Sequence, residues 1–332
     1  VWNKVDKSQS PFVSIITPVY NGEKHLEKCI QSVLNQTYPN FEYVIVNNCS
    51  TDRTLEIAES YALKDDRIKI HTNTDFLSVV DSHNKAFSLA SENSEYCKIV
   101  GADDWLYPEC VSQMVALAEQ NPSIAMVTSY VLVGTKIGWD GLPYPSTFLT
   151  GRDVCRMRLL DRILIFGGPS ASLLRRSVVE QHQPFYKPGN YHGDTEAYLD
   201  ILQDHNFGFI HQVLSFNFRG EDSRTTHFLQ RVDSYRAAEI EELERYGPIY
   251  LSREELHIRL SDARRGYYKF LATNLLELRG KEFWDYHHER MNTLGTPISY
   301  FKLSWYTFLR IIDLVLNPKR TVEGLYRRLN QH

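Results

Sequence analysis

Apolar and polar positions alternate in blocks along the first hundred residues. From Phe12 to Pro18 the run FVSIITP is short, β-branched and almost continuously apolar, which predicts a strand buried on both faces. After Tyr20-Asn21-Gly22, Leu26, Ile30, Val33 and Leu34 recur at helical spacing between Glu23 and Asn35, so a helix follows. The run FEYVIVNN precedes a polar turn, Cys49-Ser50-Thr51-Asp52, and then a second helical pattern (Leu55, Ala58, Ala62). Ile68 to His71 reads as a third short strand, Val79 to Ala90 as a third helix, and Tyr96 to Val100 as a fourth strand running into GADDWLYP. Strands alternating with helices imply an α/β fold, a mostly parallel sheet with helices on both faces, whose ligands bind beyond the carboxyl ends of the strands. The turns after Val46 and Val100 fall at such ends, so they can face one pocket although they are far apart in the chain.

Beyond Met126 the strand signal weakens, and the Gly/Pro-rich stretch from Gly134 to Pro145 reads as a long surface loop. From Val232 onward, Glu, Arg, Leu and Tyr at helical spacing predict a helical C-terminal region of about a hundred residues. Tyr300 to Leu316 is the most apolar stretch of the chain. Lys302, Arg310 and Asp313 interrupt it and Pro318 bounds it, so it falls short of the roughly 20 uncharged residues of a membrane span. Lys319, Arg320, Arg327 and Arg328 follow. With Trp305 and the nearby aromatics, the stretch 300–328 suits a helix lying in an anionic membrane surface, and equally a helix packed on the rest of the protein or in a homodimer.

A length of 332 residues suits one sizeable α/β domain plus an appendage. Apolar residues make up 42% and charged residues 23%, close to the globular average, which suggests neither wholesale disorder nor an integral membrane protein. The formal net charge of -4 provides no basic field to gather nucleic acid, so an anionic ligand must be held by a local site. Five scattered cysteines (Cys29, Cys49, Cys97, Cys110, Cys155) include no C-x-x-C pair, which argues against a zinc module or a disulfide scaffold and fits a reducing cytoplasm. The polar opening VWNKVDKSQSPF lacks the apolar core of a signal peptide.

Four clusters carry candidate chemistry. Gly101-Ala102-Asp103-Asp104 ends an apolar strand with two adjacent carboxylates; they either cap a turn or share a hard divalent cation, which prefers oxygen ligands. Asn47 and Asn48 carry both donor and acceptor and can read a base edge, while Ser50, Thr51 and Asp52 suit the cap of the next helix. Thr17-Pro18-Val19-Tyr20-Asn21 offers an aromatic face for a base, or a turn whose Tyr plugs the sheet edge. Asp194, in His192-Gly193-Asp194-Thr195-Glu196, either caps a helix or serves as general base, and a helix N-terminus keeps a carboxylate ionised for both. His192 and His227 lie near pocket loops and read as surface or hydrogen-bonded histidines rather than additional metal ligands.

In that order the motifs resemble the inverting family-two glycosyltransferases of GT-A fold. PFVSIITPVYNGEKHLEKCIQSVLNQTYPNFEYVIVNNCSTDRT looks like the family's opening block, SEYCKIVGADDWLYPECV like its metal block, and GGPSASLLRRSVVEQ with GDTEAYLDIL like its acceptor half. The likeness implies a tail over 1–10, a GT-A catalytic domain over 11–225 and a helical region over 226–332. It also implies transfer of a sugar from a nucleotide-diphosphate donor to a hydroxyl of a glycan or lipid-linked acceptor. Carried over residue by residue, Pro18 and Tyr20 line the nucleoside pocket, and Asn48, beside Asn47, stands where an acidic residue reads the base. Asp103 approaches the ribose, Asp104 binds a Mn or Mg ion that bridges the diphosphate, Asp194 is the catalytic base and Ser170 shapes the acceptor side. The family usually has two acids at 47 and 48 and often another Asp where Gly101 stands. Processive synthases of similar sequence carry Gln-x-x-Arg-Trp and several spans; none of the five Trp residues here follows an Arg, so a single sugar per encounter is expected, on the cytoplasmic side of a membrane surface. Two other readings are a nucleotidyltransferase, for which TPVYNGEKH is a poor phosphate loop, and a nucleotide-sugar-binding module that has lost the reaction.

Overall fold

The computed structural model describes residues 10–188, 192–218 and 231–317. Its first half follows the predicted alternation: strand β1 (Val13–Val19), helix α1 (Leu26–Leu34), β2 (Phe41–Asn47), α2 (Thr54–Ala62), β3 (Ile68–Thr72), α3 (Val79–Ser88) and β4 (Tyr96–Ile99). β1 lies between β2 and β4, β3 borders β2, and all four are parallel. Burial on two faces explains the continuous apolar runs. Val13, Ile15, Tyr43 and Ile45 share a core with Leu26, Cys29, Ile30 and Val33 of α1. The alternate residues Ile16, Val44 and Val46 are just as buried on the opposite face, where α3 packs.

The second half departs from the expectation of a weakening strand signal. After β5 (Trp105–Leu106) and α4 (Cys110–Gln120) come β6 (Ile124–Val133), β7 (Lys136–Gly138), β8 (Phe148–Leu149), α5 (Gly151–Asp161), β9 (Leu173–Arg175), α6 (Arg176–Gln181), α7 (Gly193–Ile201) and β10 (Asn206–Asn217). The sheet runs β3-β2-β1-β4-β9-β6-β10-β5, with β7 on β6 and β8 on β10. β6 and β10, of ten and twelve residues, are the longest strands described. They escape a reading by pattern because Thr128, Ser129 and Ser215 are buried polar residues, and because register shifts near Ile210 and Val213 break the two-residue period. The stretch read as a surface loop contains β7, turned back on β6 at Gly134, whose φ of +59° is open to glycine without strain. β9 enters antiparallel between β4 and β6, which brings the residues just before it beside the end of β4.

The chain divides into two compact units, Val1–Gly220 and Glu221–His332. In the second, α8 (Tyr235–Tyr250), α9 (Arg253–Leu276), α10 (Lys281–Thr293) and α11 (Tyr300–Leu316) are the described helices. Ser252 and Glu255 form a reciprocal capping box at the start of α9, satisfying donors that a helix end leaves open. Arg259–Glu239 and Arg290–Glu241 ion pairs join α9 and α10 to α8. The buried His287 ring bonds the Tyr267 hydroxyl and the Val232 carbonyl. α11 packs on α9, with Tyr306 stacked on Tyr268, while Phe301, Trp305, Phe308 and Val315 stay exposed. Among the described residues no helix is long and apolar enough to cross a membrane. The expected tail up to residue 9, His227 and the basic residues Lys319, Arg320, Arg327 and Arg328 lie outside the described residues.

Candidate functional site

The loops after β1 and β2 are zipped together at the carboxyl edge of the sheet. Asn21, at a left-handed φ of +50°, donates its backbone N–H to Ser50 Oγ (3.0 Å) and accepts from the Thr51 N–H (2.8 Å). Asp52 accepts from the backbone of Glu23 and of Thr54, so it ties the first loop to the start of α2. Pro18 closes β1, and this scaffold leaves Tyr20 half-exposed beyond it.

Asn47 and Asn48 are spent on the protein itself. Asn47 Oδ1 accepts from the Ser50 N–H at 3.1 Å. The buried Asn48 accepts from the Leu77 N–H and from Asn73 Nδ2, and donates through Nδ2 to the Leu77 carbonyl, each at 2.9 Å. This bracket needs a donor and an acceptor on one side chain, which an amide has and a carboxylate lacks. The Asn48 oxygen is thus fully used within the protein, and one N–H of its amide remains over. What the bracket presents instead is Phe76, 61% exposed and edge-on to Tyr20 with ring centroids 4.8 Å apart. Sequence reasoning passed over Phe76; an aromatic isolated among Thr74, Asp75 and Ser78 at a strand's carboxyl end was the available signal.

The two carboxylates after β4 are in opposite situations. Asp104, only 7% exposed, accepts from Ser170 Oγ (2.5 Å) and Asn217 Nδ2 (3.1 Å) on one oxygen and from the Phe218 N–H (2.9 Å) on the other. Burial, reinforced by the neighbouring Asp103 charge, pushes its carboxyl up to about 7. Asp103 is partly exposed and, among the described residues, accepts from its own backbone N–H. β5 pairs with the end of β10, which turns Asp104, the cation ligand expected from the sequence, inward onto residues 217–218. A Cβ at Gly101 would sit 2.9 Å from an Asp104 oxygen and 3.2 Å from one of Asp103, so a side chain there would make these carboxylates shift.

A buried lysine in the middle of β4 organises the next layer. Lys98 Nζ donates to the carbonyls of Ser170 (3.0 Å) and Ser172 (3.2 Å), fixing a single 3-10 turn at Pro169–Ala171. Ser170 Oγ accepts from the Gly101 N–H (2.9 Å) as it donates to Asp104, so it ties the carboxylate turn to the segment before β9. Ser172 Oγ meets the Tyr198 hydroxyl at 3.0 Å. Tyr198 lies one helical turn beyond Asp194 on α7, close enough to feel its charge. Asp194 sits in the first turn rather than at the cap position, which is His192; its carboxylate accepts from the Thr195 N–H at 2.7 Å, and burial raises its pKa. One chain of contacts thus runs from Asp104 through Ser170 and Ser172 to the helix that carries Asp194. No cluster of three His, Cys, Asp or Glu side chains occurs among the described residues.

The family model for glycosyl transferase family 2 matches residues 14–183. The chain belongs to this glycosyltransferase family. A Haemophilus influenzae glycosyltransferase is 30% identical over 177 residues, covering 52% of this chain and 54% of the relative, so the chain spans about half that relative's length. In three dimensions it is similar to S. aureus TarS 1-349 in complex with UDP-GlcNAc, with a TM-score of 0.62 at 18% identity over 96% of this chain and 92% of the other. It is also similar to the mannosyltransferase PcManGT of Pyrobaculum calidifontis in complex with GDP-Man and Mn2+, with a TM-score of 0.55 at 15% identity over 93% and 88%. The GT-A fold of this family-two glycosyltransferase accounts for the mostly parallel sheet and the carboxylate turn at its edge.

Proposed function

We propose that the protein transfers one sugar, with inversion, from a nucleotide-diphosphate donor to a hydroxyl of a glycan or lipid-linked acceptor in cell-surface polysaccharide or glycoconjugate synthesis. The observation that carries the reading is the division of labour between neighbouring carboxylates at the sheet's carboxyl edge: one is consumed in shaping the turn, and the other is left partly exposed. Tyr20 and Phe76 offer π-faces to a nucleobase, and stacking of this kind accepts uridine, guanosine or thymidine carriers alike. Asp103 is the residue that would hold a Mn or Mg ion, in place of the Asp104 expected from the sequence. When bound, such an ion supplies positive charge to the departing diphosphate. Asp194 takes the proton of the acceptor hydroxyl as it attacks the anomeric carbon from the face opposite the diphosphate. Desolvation makes that carboxylate a stronger base than one in water.

Donor turnover measured with UDP-, GDP- and dTDP-sugars, with and without Mn, tests the reading. Slow metal-dependent release of free sugar without acceptor supports it; binding without release supports a module that has lost the reaction. Asp194→Asn is expected to lower transfer by about a hundred- to ten-thousandfold with donor binding retained. Transfer near the wild-type rate would remove Asp194 from the mechanism.

The exposed apolar face of α11 (Phe301, Trp305, Phe308, Val315), followed in sequence by Lys319, Arg320, Arg327 and Arg328, supports peripheral contact with an anionic membrane surface, on the cytoplasmic side where lipid-linked acceptors are glycosylated. Flotation with phosphatidylglycerol vesicles but not phosphatidylcholine vesicles is the expected result. No flotation together with a homodimer in sedimentation would assign that face to a second copy.

A further inference from the structure

Two buried polar atoms flank the carboxylate turn without a hydrogen-bond partner: Nε2 of His25 and Oδ1 of Asn217. Their neighbours are otherwise fully engaged, since Asp104, Ser170, Gly101 and the Phe218 N–H are all paired with one another. Leaving a buried polar atom unpaired costs about 1–3 kcal/mol, and native proteins keep few of them without a reason.

His25 directly precedes α1, yet its side chain makes no cap bond there. Its ring lies against Phe218 with centroids 4.4 Å apart, and the Phe218 N–H is one of the donors that hold Asp104. On the other side, Asn217 gives its Nδ2 to Asp104, which leaves the amide oxygen over. An unpaired imidazole nitrogen suits an anion, and an unpaired amide oxygen suits a cation or its hydration water. The two leftover atoms thus match the two signs of charge in one diphosphate–cation unit, at the place where the sheet edge is already shaped for a nucleotide.

We propose that His25 is a phosphate-binding residue of the donor site, its Nε2–H donating to the diphosphate of the sugar donor. The proposal rests on the donor reading above and extends it to a residue that no motif of the opening block singles out. Ring packing on Phe218 fixes the imidazole in advance, so little order is lost when the phosphate arrives.

Calorimetric titration of the full chain with UDP and GDP, and with uridine and guanosine, at fixed Mn concentration tests it. His25→Phe keeps the ring contact with Phe218 and removes the donor. It is expected to weaken diphosphate binding by about ten- to a hundredfold, leave nucleoside binding unchanged, and melt at the wild-type temperature without ligand. His25→Gln keeps a donor N–H and is expected to recover most of the loss. Diphosphate affinity unchanged in His25→Phe, or an equal loss for nucleosides and diphosphates, would overturn the assignment and leave His25 a packing residue. A wild-type protein that binds neither diphosphate would overturn the donor reading itself.

Discussion

Replacing Asn48 by aspartate separates two roles for this position. In Asn48→Asp the oxygen that accepts from the Leu77 N–H and from Asn73 Nδ2 is retained, and those two bonds strengthen because the acceptor becomes charged. The other contact, now 2.9 Å from Nδ2 to the Leu77 carbonyl, turns into oxygen facing oxygen. One hydrogen bond worth about 1 kcal/mol is lost, and an unpaired carbonyl at a buried site costs about 1–3 kcal/mol more. With partial compensation, the net destabilisation is about 2 kcal/mol. For a unit of this size that lowers the melting temperature by about 4–8 °C. The difference from wild type should shrink toward acid pH, because a protonated Asp regains a donor. Differential scanning fluorimetry between pH 5 and 8, with hydrogen exchange at residues 73–78, measures both effects. A variant that melts like wild type and binds UDP more tightly would refute the bracket and restore Asn48 as a reader of the base.

Other substitutions distinguish neighbours that the sequence does not. Asp103→Asn should abolish the Mn-dependence of nucleoside diphosphate binding with the melting temperature little changed, whereas Asp104→Asn should lower the melting temperature first; the reverse pattern in paired titration and melting experiments would return the cation to Asp104. Phe76→Ala should weaken binding of UDP and GDP to a similar degree, by about 1–3 kcal/mol for a lost aromatic stack, with the turnover number nearly unchanged; a loss confined to one base in competition binding would make Phe76 a selective contact. His287 is held neutral by burial, its pKa depressed to about 4 from an ordinary 6.5, because a charged ring would lose its hydration there; its bond to the Val232 carbonyl works the other way and is outweighed. Its contribution is full above pH 6.5 and is lost as pH falls toward 4, on the order of 3 kcal/mol in all; His287→Gln should flatten that part of the acid unfolding curve measured by circular dichroism.

The first half of the fold was legible because each β-α unit there is locally self-sufficient. Its strands are short, apolar and bounded by turn residues, and its helices carry one apolar face. β6 and β10 were not legible, since Thr128 and the Tyr130–His211 pair find their partners only after the sheet has formed and register shifts erase the local period. Lys98 illustrates the same limit. A lysine inside an apolar strand reads as a flaw until the carbonyls of Ser170 and Ser172, more than seventy positions on, arrive to accept its bonds.

Residue types alone determined which chemistry was available: adjacent carboxylates at a strand end, an amide pair, an aromatic loop and an acid at the start of a helix. The tertiary structure decided which atoms remained free to perform it. β9 slots in beside β4 and β10 runs past β5, so Ser170, Asn217 and Phe218 converge on Asp104 and leave Asp103 open. The loop after β3 likewise takes both ends of the Asn48 amide and offers Phe76 in exchange. A side chain's chemistry is a local property, whereas whether its hydrogen bonds are already spent depends on partners that only sheet order brings within 3 Å.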